Sequence, residues 1–66
     1  MDPLFRLHNA IRMEENKIKE YTPKVTTTDV GRAYSTIVAS HQSTLNALSL
    51  QATLQIQANL NALQNK

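Results

Sequence analysis

From Ala33 to Asn65 the chain carries no Asp, Glu, Lys or Arg. Its polar positions are mainly Ser, Thr, Asn and Gln, with His41 as the only imidazole, and every charged side chain except Lys66 lies between Asp2 and Arg32. A helix bathed in water usually carries mixed charges on its outer face, which keep it soluble and pair at i,i+4 spacing. A long segment without them is not adapted to bulk water. Neutral amides and hydroxyls can face copies of themselves without like-charge repulsion, so the segment suits repeated self-association.

The remainder of the chain is too small to bury such a segment. A protein of 66 residues forms one small domain, here 1–66, and a chain of that size buries only ~60% of its unfolded surface. Small folds therefore add disulfides, a metal or partners. The sequence has no cysteine, which removes disulfides and thiolate metal sites. Association with copies of itself or with other proteins is the means of stabilisation left.

Charge narrows the partners further. The net charge is only +2, and Arg6, Arg12, Lys17, Lys19, Lys24 and Arg32 alternate with Asp2, Glu14, Glu15, Glu20 and Asp29. This is a mixed face and not a basic stripe, so no nucleic acid is expected. No apolar run approaches the ~20 residues of a membrane span. Met1-Asp2-Pro3 lacks the basic and apolar regions of a secretory signal. The expected history is synthesis in the cytoplasm without a signal peptide, with export or incorporation into an extracellular or virion assembly left open.

Asp2 before Pro3 reads as an N-cap followed by proline at the first helical position. Leu4, Leu7, Ile11, Ile18 and Tyr21 then recur at three- and four-residue steps, with Glu14 as a polar interruption. That is one face of an amphipathic helix over about 3–21. Glu15 and Lys19 are placed for an outer i,i+4 pair. Thr22-Pro23 ends the helix, since the residue before proline is pushed from the helical region, and 22–26 forms the inter-helix turn. Thr26 with Asp29 reads as a capping box, flanked by Val25 and Val30 at the staple positions, although Thr27, Thr28 or Asp29 could cap instead. Gly31 weakens the helix start or admits close approach of another backbone.

From Val30, the positions Tyr34, Ile37, Val38, His41, Leu45 and Leu48 form a second stripe. It is about as long as the first helix, so the two pair as a hairpin through Leu4, Leu7, Ile11 and Ile18 on one side and Tyr34, Ile37, Val38 and His41 on the other. This covers the first half of the second helix. Over 48–62 apolar and polar residues alternate strictly, which is the period of a strand and suggests a Gln/Asn ladder. The apolar residues are mostly Leu and Ala, however, and these favour helix. Helix over about 27–64 is the reading adopted, with a β-structured fibre or β-prism as the alternative. As a helix the alternating segment is apolar on every side, and such a helix is a buried one. Leu45, Leu48, Leu50, Leu54, Ile56, Leu60 and Leu63 are accordingly the expected self-association interface.

No constellation for chemistry is present. His8 and Glu15 share a helical face, but two ligands do not make a metal site. Ser35, Ser40, Ser43 and Ser49 lack a glycine elbow and a base–orienter set. Glu14 and Glu15 are adjacent and point apart. One glycine cannot cradle a phosphate. The chain is expected to be no enzyme, with no catalytic residues, cofactor, metal or small-molecule substrate. His41, on the apolar stripe, reads as a hydrogen-bonded interface histidine. The Tyr21–Thr28 turn reads as a connector, with contact to another component as the alternative.

A short charged helix, a proline-bearing turn and a longer helix of Ala, Leu, Asn, Gln and Ser, without Cys or Trp, make up the whole chain. In plan it resembles the helical-hairpin subunits of type III secretion needles and inner rods, flagellar rod-type proteins and short coiled-coil virion proteins of tailed phages. The resemblance rests on no motif and implies no site residue. It implies an all-α hairpin packed in an oligomer: a structural subunit of a ring, tube or filament in a secretion or injection apparatus or a virion. The alternative is a small accessory or co-chaperone subunit that lends its helix to a different protein.

Overall fold

The computed structural model describes residues 2–65; the ends of the expected 1–66 domain, Met1 and Lys66, lie outside them. Two helices account for nearly all of it. Helix α1 runs Pro3–Tyr21, a one-turn 3-10 helix follows at Thr22–Lys24, and α2 runs Asp29–Gln64. No strand occurs among the described residues. The alternating segment 48–62 is helical throughout, so the strand alternative is not adopted.

Local chemistry explains each boundary. Asp2 is extended (φ −61°, ψ 125°) and its carboxylate accepts from the Leu4 N–H at 2.9 Å, with Pro3 entering the first turn. At the other end α1 stops at Tyr21, but Thr22 keeps helical angles (φ −54°, ψ −44°) and its hydroxyl donates to the Ile18 carbonyl at 2.6 Å. The break thus falls where expected for a different reason. Thr22 is not pushed from the helical region; Pro23 has no N–H with which to continue the ladder.

Helix α2 starts two residues later than the sequence suggests. Thr28 is the N-cap, and its hydroxyl accepts from the Gly31 N–H at 3.0 Å. The Thr26 hydroxyl is engaged elsewhere, bonded to the Thr28 hydroxyl at 2.7 Å and accepting from the Thr28 N–H at 3.3 Å. With the cap at Thr28 the third helical position is Gly31, which has no side chain to return the bond. The capping box and its Val25–Val30 staple are therefore not formed. Asp29 instead lies in the first turn, where a negative charge complements the helix dipole.

The helices form an antiparallel hairpin with unequal arms. Glu14 meets His41 and Tyr21 meets Tyr34, and both pairs fit one register in which position n of α1 faces position 55 − n of α2. Leu4, Leu7, Ala10, Ile11, Glu14, Ile18 and Tyr21 are half-buried on α1. On α2 the half-buried positions are Tyr34, Val38, His41, Leu45, Leu48, Ala52 and Gln55, at unbroken three- and four-residue steps. That spacing is the seam of a two-helix coiled coil. It continues past Leu48, so α1 covers more than the first half of α2, and cover ends near Gln55. Residues 56–64 protrude by about 13 Å at 1.5 Å per residue. The molecule measures 58 × 17 × 13 Å.

A hairpin of this kind has no closed interior. No hydrophobic side chain is fully buried among the described residues, and Gly31 is the only buried residue. The accessible surface is 5190 Å². A folded monomer of 7.4 kDa is expected to expose about 4,200 Å². The surplus of about 1,000 Å² compares with the ~800 Å² that one partner contributes to a standard interface.

Candidate functional site

Two features of the hairpin bear on function: a polar layer in its seam and an uncovered apolar surface on α2. The polar layer lies at Glu14 and His41, the one place where the apolar stripes of both helices are interrupted. His41 Nδ1 and Glu14 Oε2 are 2.5 Å apart, with the two side chains 28% and 21% exposed. An ionised carboxylate only accepts, so the imidazole donates through Nδ1–H. The Tyr21 ring stacks on Tyr34 at 5.7 Å and on His41 at 6.1 Å between centroids. Lys24 places its ammonium 5.4 Å from the Tyr34 ring centre and 5.7 Å from that of Tyr21, and Lys17 approaches Tyr21 at 5.9 Å. The aromatic pair and its cations clamp the closed end of the hairpin, each contact contributing about 0.5–1 kcal/mol at such exposed positions.

The Glu14–His41 pair joins the two helices by a side-chain hydrogen bond. Removing one partner leaves the other half-buried and unpaired. His41→Ala or Glu14→Ala is therefore expected to lower hairpin stability by roughly 1–2 kcal/mol. Replacing both with leucine restores or raises it, because an apolar pair carries no desolvation cost. Thermal unfolding followed by circular dichroism at one fixed protein concentration checks this; a double leucine variant less stable than either alanine variant would overturn it.

The uncovered surface belongs to the far half of α2. Leu50, Leu54, Ile56, Leu60 and Leu63 are 48–65% exposed, on a stretch without a single charge. Neutral side-chain bonds span its polar positions: Gln55 Nε2 donates to Asn59 Oδ1 at 3.0 Å, and the Thr53 hydroxyl to the Ser49 carbonyl at 3.1 Å. Of the seven residues expected to mediate self-association, these five stand in solvent. Leu45 and Leu48 are half-buried on the stripe that faces α1.

The expected hairpin residues Leu4, Leu7, Ile11, Ile18, Tyr34, Val38 and His41 lie half-buried along the seam, while Ile37 at its edge is 39% exposed. The residues that sequence reasoning left out of the seam are Ala10 on α1 and Ala52 and Gln55 on α2; for the last two the signal was the three- and four-residue spacing continuing beyond Leu48. Val30, read as the start of the stripe, is 68% exposed, and Gly31 beside it is the residue that packs.

Other candidate chemistry is not assembled. Among the described residues there is no pocket and no group of three His, Cys, Asp or Glu side chains placed to hold a metal ion. His8 and Glu15 are both exposed on α1. The outer ion pair is Lys17–Glu20 at 3.7 Å, and not Glu15–Lys19. Among the described residues no helix is long and apolar enough to cross a membrane. No protein-family model, curated protein or solved structure matches the chain.

Proposed function

We propose that this protein is a structural subunit that associates with copies of itself through the far half of α2, building a ring, tube or filament within a larger assembly. A secretion or injection apparatus, or a phage particle, is the kind of machine such a subunit serves. The observation that carries the reading is the protruding end of α2, where Ile56, Leu60 and Leu63 lie beyond the reach of α1 and are 48%, 51% and 65% exposed. Among the described residues nothing else covers them, and no charge on that stretch suits it to water. Burying one such side chain stabilises by about 1.5–3 kcal/mol, so repeated burial along the helix is a sufficient drive for assembly. The neutral amides at the intervening positions can bond between subunits or line a lumen without repelling one another.

Light scattering and sedimentation velocity across a concentration series test this. The expected result is a rise from small species to large ones with increasing concentration. A protein that stays monomeric throughout sinks the reading and favours the accessory subunit, whose α2 would be covered by a different protein.

A further inference from the structure

The exposed apolar side chains of α2 do not form one surface. Advancing 100° per residue, Leu50 and Leu54 project away from α1, on the back of the helix, with Ala47 and Ala58 flanking them. Ile56, Leu60 and Leu63 project from a flank of the protruding tip. The centres of the two sets lie roughly 130° apart around the helix and about 12 Å apart along it. The chain thus carries two separate, unlike apolar patches, a back patch and a tip patch, joined by one rigid element.

We propose that the tip patch of one copy seats on the back patch of the next, so that the contact between subunits is head-to-tail. The inference rests on the self-association reading and adds the polarity of the contact. Three observations argue for a second copy as the occupant. Both patches lie within the charge-free segment, so apposed copies meet no like-charge repulsion there. The sizes are compatible: the tip patch spans eight residues from Ile56 to Leu63, about 11 Å, and fits within the back patch, which spans twelve from Ala47 to Ala58, about 17 Å. In the back patch the short side chains of Ala47 and Ala58 flank Leu50 and Leu54, so a neighbouring tip can approach the helix closely there.

The area argues the same way. The surplus of about 1,000 Å² over a compact monomer is of the order that one side of a standard interface covers. A two-fold dimer through either patch would leave the other exposed in both copies. A head-to-tail contact covers one patch of each kind at every junction and leaves one of each free at the ends. Addition then continues until the rotation per subunit closes a ring or, if it does not close, winds a filament.

Two double variants test the polarity. Leu50→Lys with Leu54→Lys blocks the back patch and leaves the tip; Ile56→Lys with Leu60→Lys blocks the tip and leaves the back. All four side chains are exposed and lie outside the half-buried stripe facing α1. Circular dichroism verifies that each variant retains the parent's hairpin melting, and the corresponding glutamine pairs separate loss of the patch from added charge. Sedimentation velocity is run on each variant alone and on an equimolar mixture, tenfold above the concentration at which the parent assembles. Each alone is expected to be monomeric, and the mixture to form a species of twice the single-chain mass and no larger. A dimer from either variant alone, or a mixture that stays monomeric, overturns the head-to-tail contact. If the parent assembles, either of those results leaves the self-association reading standing; a parent that never assembles removes that reading itself.

Discussion

A chain with lysine at both Leu54 and Ile56 is expected to remain monomeric where the parent assembles, while its hairpin melts as before. The pair takes one residue from each exposed patch. Leu54 is 55% and Ile56 48% exposed, and neither lies on the half-buried stripe, so folding of the single chain draws little on them. In an assembled state both would be buried, each contributing about 1.5–3 kcal/mol. Loss of both raises the concentration needed for assembly by roughly 10²- to 10⁴-fold at 1.4 kcal/mol per tenfold. Lysine adds the cost of desolvating a charge in a segment that offers no acid to pair with it. Sedimentation velocity reads the assembly and circular dichroism the hairpin. Undiminished assembly would mean that these residues face solvent in the assembled form, and the proposed surface would be abandoned.

Gly31→Ala is expected to destabilise the hairpin although it places a better helix former in a helix. On an open helix face the exchange gains up to about 1 kcal/mol. At this position a Cβ would come within 2.5 Å of the Thr26 backbone nitrogen and closer still to the Thr26 hydroxyl. The hydroxyl can rotate away; the backbone nitrogen moves only if the turn moves. That turn holds the Thr28 cap, whose hydroxyl accepts from the Gly31 N–H, so displacement also weakens the start of α2. Overpacking of this kind costs about 1–3 kcal/mol. For so small a domain, with 4–8 °C per kcal/mol, the midpoint falls by roughly 4–24 °C. Adding Thr26→Ala removes the hydroxyl but not the backbone nitrogen, so it restores only part of the loss. An unchanged or raised midpoint for Gly31→Ala, measured by thermal circular dichroism at fixed concentration, would show that the turn relaxes freely.

The hairpin is legible in the sequence because its determinants are local. Asp2-Pro3 marks the start of α1, and the steps from Leu4 to Tyr21 mark its inner face. Glu14 and His41 are each readable as a polar break in an apolar stripe. Their pairing became visible only with the register, because it depends on the length of the turn. The start of α2 was ambiguous for a physical reason: three consecutive threonines offer the same capping hydroxyl. The choice fell to Thr28 once the Thr26 hydroxyl was drawn into the turn over Gly31. The strict alternation of 48–62 obscured the seam, because a period of two draws attention away from the three- and four-residue steps through Ala52 and Gln55. Leu45 and Leu48, read both as part of the second stripe and as part of the self-association interface, lie half-buried on the stripe opposite α1. The charge-free composition, by contrast, marked out the segment that holds Leu50, Leu54, Ile56, Leu60 and Leu63, although Phe5, Met13, Val25 and Val30 are exposed in the charged half as well.

The unequal arms give the two ends of α2 different standing before and after subunits meet. Up to Gln55 the helix is braced by α1; beyond it, nine residues have only their own backbone ladder, which propagates from the braced part without a new nucleus. On the self-association reading a free subunit already presents the tip as helix, so seating it on a neighbour requires little further ordering of the chain. If subunits associate as proposed, the braced arm sets the shape of the tip before they meet, and each added copy brings a formed helix to the end it joins.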